Sequence, residues 1–197
     1  VNYKKNVFLQ MRLILGSQSP RRKQLLTQAG FNFEVRVSAV PEDYPADMPL
    51  VQVASYLAEK KANALLPTLQ TGEVLVCADS VVICNGEFLG KPENFENAVE
   101  ILQKLSGNTH EVITGVCIIQ TNKKSVFAES TFVTFKPLTL EEIHHYLHTE
   151  QPYDKAGSYG IQDWIGCIGI SRIEGCFYNV MGLPISKVYQ TLKEIEN

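Results

Sequence analysis

No apolar run in the 197-residue sequence approaches the about 20 residues that a transmembrane helix needs, so no membrane span is expected. Paired cysteines are lacking as well. Cys77, Cys84, Cys117, Cys167 and Cys176 are odd in number, none is spaced Cys-x-x-Cys, and most lie in apolar strand-like runs. They read as reduced thiols packed as small hydrophobes, which points to a cytoplasmic compartment. Excess positive charge is missing: 18 Lys and Arg stand against 21 Asp and Glu, for a net charge of −3. That balance argues against nucleic-acid backbone or anionic membrane as a partner and turns local cation clusters into candidates for small-anion sites. Neither Gly-x-x-x-x-Gly-Lys-Ser/Thr nor Gly-x-Gly-x-x-Gly after a strand occurs, so phosphate is not bound in those ways. Residues 1–10 lack the apolar core and cleavage site of a signal peptide and read as an N-terminal extension or an overlong gene start. Repeats, low-complexity blocks and linkers are also missing, so residues 11–197 are expected to form a single domain.

What is present begins with Leu13-Ile14-Leu15, a buried strand, followed by a small-residue loop and a helix entered at Ser19-Pro20. Ser19 suits the N-cap and Pro20 the first helical position. Arg21, Arg22 and Lys23 then crowd the first turn, where the helix dipole already presents positive charge and each cation costs a few tenths to about 1 kcal/mol. Two readings stay open: a solvated basic turn, or a site where backbone N–H groups, a hydroxyl and two guanidinium groups converge on phosphate.

Further along, Phe31, Phe33, Val35 and Val37 alternate with polar residues and predict a half-buried strand. A loop with Glu42, Asp43 and Asp47 leads into a helix over about 50–65, with Leu50, Val53, Leu57 and Ala64 as its apolar stripe. Lys61 points into that stripe, either snorkelling outward or reaching into a cleft. Glu73 to Cys84 is a nearly continuous apolar strand interrupted by Asp79-Ser80, and Asn85-Gly86 predicts a type I′ hairpin. A carboxylate in such a run must be neutralised, paired or metal-bound, unless it caps a bend at the strand end. In a cleft, Asp79 is the leading general base or metal ligand. Gly90-Lys91-Pro92 returns the chain to a helix capped by Asn94, with Phe95, Ala98, Val99, Leu102 and Leu105 as its buried face. Strands are expected at 112–120 and 126–135, joined by the polar turn 121–124, then a helix with a Thr139/Glu142 capping box. His144 and His148 share a face of that helix at a spacing compatible with metal, without a third ligand nearby, so a solvent-facing reading competes. The loop 151–162 alternates small residues with Asp154, Lys155, Ser158, Tyr159 and Gln162, the last poised to read a planar amide-like edge. A strand at 168–173 and a helix after Pro184 close the chain. Alternating elements with one hairpin give a mixed, mostly α/β sheet.

Six stretches occur in order: Ser17 to Arg22, Ala78 to Val82, Gly90 to Pro92, Leu105 to His110 with Thr114 to Val116, Asp154 to Gln162, and Tyr178 to Pro184. Together they resemble the Maf (septum-formation) family of nucleoside triphosphate pyrophosphatases. The resemblance implies an α/β fold with a mixed twisted sheet flanked by helices, its two lobes around a central cleft as in inosine triphosphate pyrophosphatases. It implies hydrolysis of a nucleoside triphosphate to the monophosphate and pyrophosphate with a divalent metal, Mg2+ or Mn2+, and a homodimer. By position Asp79 matches the catalytic carboxylate. Arg21, Ser80 and Gln162 match positions tied to base selection, and Ser17, Arg22, Glu42, Lys61, Lys91 and Lys155 match polar or charged cleft positions. Asp79 with Glu42 would hold the metal. The Gln162 loop resembles the branch acting on dTTP and UTP, with two departures: Ser80 replaces Thr, and Asp163-Trp164-Ile165 replaces small residues. The alternative is a nucleotide-binding regulator of cell division without turnover.

Overall fold

A computed structural model describes residues 11–120 and 123–196; the extension at 1–10 and part of the expected turn 121–124 lie outside the described residues. The chain is mixed α/β, with a seven-stranded mixed sheet in which β1 (Arg12–Leu15), β2 (Phe33–Val35), β3 (Glu73–Cys84), β5 (Thr109–Gln120), β6 (Lys123–Phe135) and β7 (Ile170–Glu174) run in the order β2-β1-β3-β5-β6-β7. The short β4 (Glu87–Phe88) pairs with β3 off that path. β1 is parallel to β2 and β3, whereas β3/β4 and β6/β7 are antiparallel. Parallel neighbours require crossovers, and helices supply them.

Two compact units share the long strands. Among the described residues the first comprises 11–79, 114–120, 123–128 and 182–196, the second 80–113 and 129–181. In the first unit, α1 (Pro20–Gln28) follows β1 and α2 (Leu50–Leu65) precedes β3, and α7 (Ile185–Glu196) ends the chain. The parallel run β2-β1-β3 sets Leu15 opposite Val76, three residues before Asp79. α2 buries Val53, Ala54, Leu57, Ala58, Ala62 and Leu65. Ala64, expected in that stripe, is exposed, because the buried arc is wider and centred on Ala58 and Ala62. These two alanines pack with Ile14, Leu75, Cys77, Cys117 and Ile119. Gly115 makes this approach possible: a Cβ there would stand 2.3 Å from the Ala54 carbonyl carbon and 2.3 Å from the Ser55 nitrogen. The strand expected from Phe31 to Val37 shrinks to three residues. Phe31 is buried before it begins, and Val35 and Val37 are exposed at the sheet's edge.

In the second unit, the Asn85-Gly86 turn has positive φ at both residues (51° and 78°), as a type I′ hairpin demands. α3 (Phe95–Leu105) is capped by Asn94 and buries Ala98, Ile101, Leu102 and Leu105; Phe95 and Val99, placed on its buried face by the sequence, are only half-buried. α4 (Leu140–Glu150) carries the Thr139/Glu142 capping box. The strand expected at 168–173 begins later, because 164–169 forms a short helix, α5 (Trp164–Gly169). Its glycines hide the helical period and allow close packing: a Cβ on Gly166 would lie 2.1 Å from the Ile161 carbonyl oxygen. A further short helix, α6 (Phe177–Val180), precedes the return to the first unit.

Candidate active site

In the first unit, the end of β1 and the N-terminus of α1 place Ser17, Ser19, Arg21 and Arg22. Ser19 caps α1, accepting from Arg22 N–H at 3.5 Å. Ser17 is buried, and its Oγ accepts from Ser19 N–H at 3.2 Å and from Arg22 Nη1 at 3.2 Å. With both lone pairs engaged, the Ser17 O–H remains a donor. Arg22 Nε donates to the Gly182 carbonyl at 2.7 Å, so its guanidinium is fixed by a backbone oxygen and a hydroxyl. Burial pushes the Arg22 pKa down, opposed by Asp79 and Glu42 and reinforced by Arg21. The α1 entrance is therefore a desolvated cation within the field of two carboxylates.

Those carboxylates meet on one residue. Lys61 Nζ donates to Glu42 Oε1 at 2.7 Å and to Asp79 Oδ2 at 3.2 Å, with the Lys61 and Asp79 side chains only 15% and 14% exposed. Of its two sequence readings, Lys61 takes the inward one: it crosses the α2 stripe to a strand carboxylate. Asp79 is neutralised by a cation, as an acid in an apolar strand must be. Lys60, one position earlier, turns to Asp43 at 2.6 Å. Cys77 lies two residues before Asp79, and burial pushes its thiol up to about 12, so it is no nucleophile at neutral pH.

Glu42 and Asp79 also fit a divalent cation. They are hard oxygen donors that already converge on one positive charge, and Mg2+ takes one or two carboxylates together with phosphate oxygens and water. Among the described residues, no cluster of three or more His, Cys, Asp or Glu side chains forms an all-protein metal cage. His144 and His148 are exposed and both lie against the Phe95 ring, at centroid distances of 5.4 and 5.0 Å.

Ser80, Lys91, Lys155 and Gln162 belong to the second unit. Ser80 follows Asp79 directly in β3 and is half-buried, and Lys91 is exposed. Gly157 N–H donates to the Leu89 and Gly90 carbonyls at 3.2 and 3.0 Å, which ties the Lys155 loop to the segment carrying Lys91. Lys155 Nζ pairs with Asp154 at 3.0 Å and lies 3.8 Å from Asp163 Oδ2. The exposed Gln162 amide donates to Asp163 Oδ1 at 2.7 Å. Three contributors escaped the sequence reading: the Gly182 carbonyl behind Arg22, and Asp163 with Tyr146 behind Gln162. An acid directly after Gln162, where small residues are usual, was the one visible signal. Trp164 stands exposed, edge-on to His145 at 4.9 Å.

A dTTP/UTP pyrophosphatase of Porphyromonas gingivalis is 50% identical to this chain over 186 residues, covering 93% of this chain and 94% of that protein. A dTTP/UTP pyrophosphatase of Bacteroides thetaiotaomicron is 46% identical over 185 residues (93% and 96%), and one of Flavobacterium johnsoniae is 43% identical over 181 (92% and 93%). A solved nucleoside-triphosphatase/dITP/XTP pyrophosphatase from Mycobacterium abscessus aligns at a TM-score of 0.38 and 13% identity over 64% of this chain and 73% of that one, too weak a likeness to carry an argument. The sequence model described as Maf-like protein matches residues 12–195, and with relatives at these identities the chain belongs to the Maf family.

Proposed function

We propose that this protein is a nucleoside triphosphate pyrophosphatase that hydrolyses dTTP and UTP, or modified pyrimidine nucleotides, to the monophosphate and pyrophosphate. The observation that carries the reading is the Lys61 ammonium shared by Asp79 and Glu42, with Arg22 in the field of both carboxylates. Such a cluster handles a polyanion and a proton together. The names of the 43–50% identical relatives support the substrate class.

Arg21 and Arg22 neutralise the triphosphate from the α1 N-terminus, aided by the Ser17 O–H, and Lys61, Lys91 and Lys155 add charge-assisted donors. This gives a purpose to cations crowded where they oppose the helix dipole. Asp79 orients a water for in-line attack on the α-phosphorus and takes its proton at Oδ1 or Oδ2, while pyrophosphate leaves. Lys61 holds that carboxylate in place. Glu42 with Asp79 would hold Mg2+ (or Mn2+), which when bound neutralises the charge of the phosphate oxygens. Arg21, Ser80 and Gln162 select the base. The substrate is free nucleotide rather than nucleic acid. Five free cysteines suit a reducing cytoplasm. The homodimer expected for the family is checked by light scattering.

Incubation with a panel of nucleoside triphosphates and Mg2+, assaying pyrophosphate against orthophosphate, tests the reading. Pyrophosphate from dTTP and UTP is expected, and Asp79→Asn should retain nucleotide binding while losing turnover. Orthophosphate alone would sink the proposed attack, and binding without turnover in the unaltered protein would favour the regulator alternative.

A further inference from the structure

The Gln162 amide is not left to choose its own orientation. Its Nε2 donates to Asp163 Oδ1 at 2.7 Å, and the other oxygen of that carboxylate accepts from the Tyr146 hydroxyl at 2.8 Å. Tyr146 is fully buried on α4, and its oxygen accepts in turn from Gly160 N–H at 3.1 Å. Burial, with the Asp163 charge beside it, pushes the Tyr146 phenol far up, so its donating proton is kept at every working pH. A Cβ on Gly160 would stand 2.4 Å from Asp163 Oδ2 and 2.6 Å from Gln162 Nε2, so only glycine lets carboxylate and amide fold back over the loop.

The ordinary role for an aspartate here is to cap a helix. Asp163 is the N-cap residue of α5, yet its side chain makes no capping hydrogen bond. Its backbone carbonyl serves α5 instead, accepting from Gly166 and Cys167 N–H at 3.1 and 3.2 Å. The carboxylate is turned toward Gln162 and Tyr146.

A primary amide has a donor end and an acceptor end, and half a turn exchanges them. Facing a carboxylate, the nitrogen is attracted and the oxygen repelled, so Asp163 fixes which end points where. Pyrimidines differ in that same sense. Uracil and thymine present an N3–H donor beside the O4 acceptor, whereas cytosine presents an N3 acceptor beside the N4 amino donor. For a base held in one pose, one amide orientation matches the first pair and the flipped orientation matches the second. We propose that Asp163, itself anchored by Tyr146, is a positioning residue that locks the Gln162 amide and thereby sets discrimination between uracil or thymine nucleotides and cytosine nucleotides. The inference rests on the reading that Gln162 meets the base.

The test compares kcat and KM on UTP and CTP for the unaltered protein and for Asp163→Ala, Asp163→Ser, Asp163→Asn and Gln162→Ala. Serine keeps a capping side chain for α5 and removes the carboxylate, and asparagine keeps the shape while letting Gln162 turn. The UTP-to-CTP ratio of kcat/KM should fall about tenfold or more in all three Asp163 variants. KM should carry most of the change, and Asp163→Ser and Asp163→Ala, which leave the buried Tyr146 hydroxyl without its acceptor, should melt roughly 2–12 °C below the unaltered protein. An unchanged ratio in the Asp163 variants that fold, with a lowered ratio in Gln162→Ala, overturns the lock and leaves the Gln162 reading standing. Recovery of the unaltered ratio by serine but not alanine makes Asp163 a cap and also overturns the lock. An unchanged ratio in Gln162→Ala, or an unaltered protein without preference for UTP over CTP, overturns both.

Discussion

Lowering the pH from 7.5 to 5 should destabilise the protein through His110. Its ring is 1% exposed, its Nε2 lies 2.7 Å from the Tyr159 hydroxyl, and Phe135 stacks on it at a centroid distance of 5.8 Å. Nδ1 has no hydrogen-bond partner among the described residues. A second proton would place a charge in that apolar site, so burial pushes His110 down to about 4 from 6.5. Because the folded pKa is depressed, stability from the neutral ring is fully present above pH 6.5 and is lost as the pH falls toward 4. At about 1.36 kcal/mol per pH unit the whole effect is about 3 kcal/mol, of which about 2 kcal/mol is gone by pH 5. With roughly 2–4 °C per kcal/mol for a chain of this size, the His110 share of the Tm loss at pH 5 is roughly 4–8 °C. Glu73, held below the usual carboxylate range chiefly by its hydrogen bond from Arg36, gives up its stabilisation only at lower pH, below about 4.5. Calorimetric melts of the unaltered protein and His110→Gln at pH 7.5 and 5 separate the contributions, since glutamine does not titrate and still offers Tyr159 a partner. The variant should melt lower at pH 7.5 but lose roughly 4–8 °C less on acidification. Equal losses in both proteins would mean that protonation of His110 does not drive the acid destabilisation.

Gly115→Ala should lower Tm by roughly 6–12 °C, since its Cβ would meet α2 backbone at 2.3 Å and overpacking of about 3 kcal/mol has no flexible side chain to absorb it. A shift under about 1 °C in a thermal melt would mean that β5 and α2 do not approach so closely. Ser158→Ala should leave Tm unchanged or raise it by roughly 2–4 °C, because the Ser158 hydroxyl is buried without a hydrogen-bond partner among the described residues. A lower melting point would reveal a partner. Lys61→Met should reduce kcat/KM on UTP by roughly ten- to a hundredfold, the scale of a hydrogen bond to a charged group, and initial rates within twofold of the unaltered protein would detach Lys61 from the site.

Much of this arrangement was legible because it follows from local rules. The bounds of α2, the Asn85-Gly86 hairpin and both side-chain caps of α3 and α4 come from periodicity and turn chemistry within a few residues. Lys61 and Asp79 were each conspicuous as a charge in an apolar pattern. That they answer each other, 18 positions apart, is set by α2 packing against the sheet, which spacing does not encode. Glu42 joins from an exposed loop that carries no periodic signal. α5 was hidden by Gly166 and Gly169, which weaken helix propensity while serving close approach to Ile161 and Phe135. Ala64 lies outside the buried face because that face centres on Ala58 and Ala62, which a stripe drawn through Leu50, Val53 and Leu57 does not mark. Asp163 stood out as a departure from the pattern of the family it resembles, but its orientation toward Gln162 and Tyr146 instead of α5 is a tertiary fact.

Attack of water on the α-phosphorus beside Asp79 can be read from turnover of UTP in 18O-enriched water with mass analysis of both products. One 18O atom is expected in the monophosphate and none in the pyrophosphate. Label in the pyrophosphate, or release of orthophosphate carrying it, would place the attack on another phosphorus and rule out this role for Asp79.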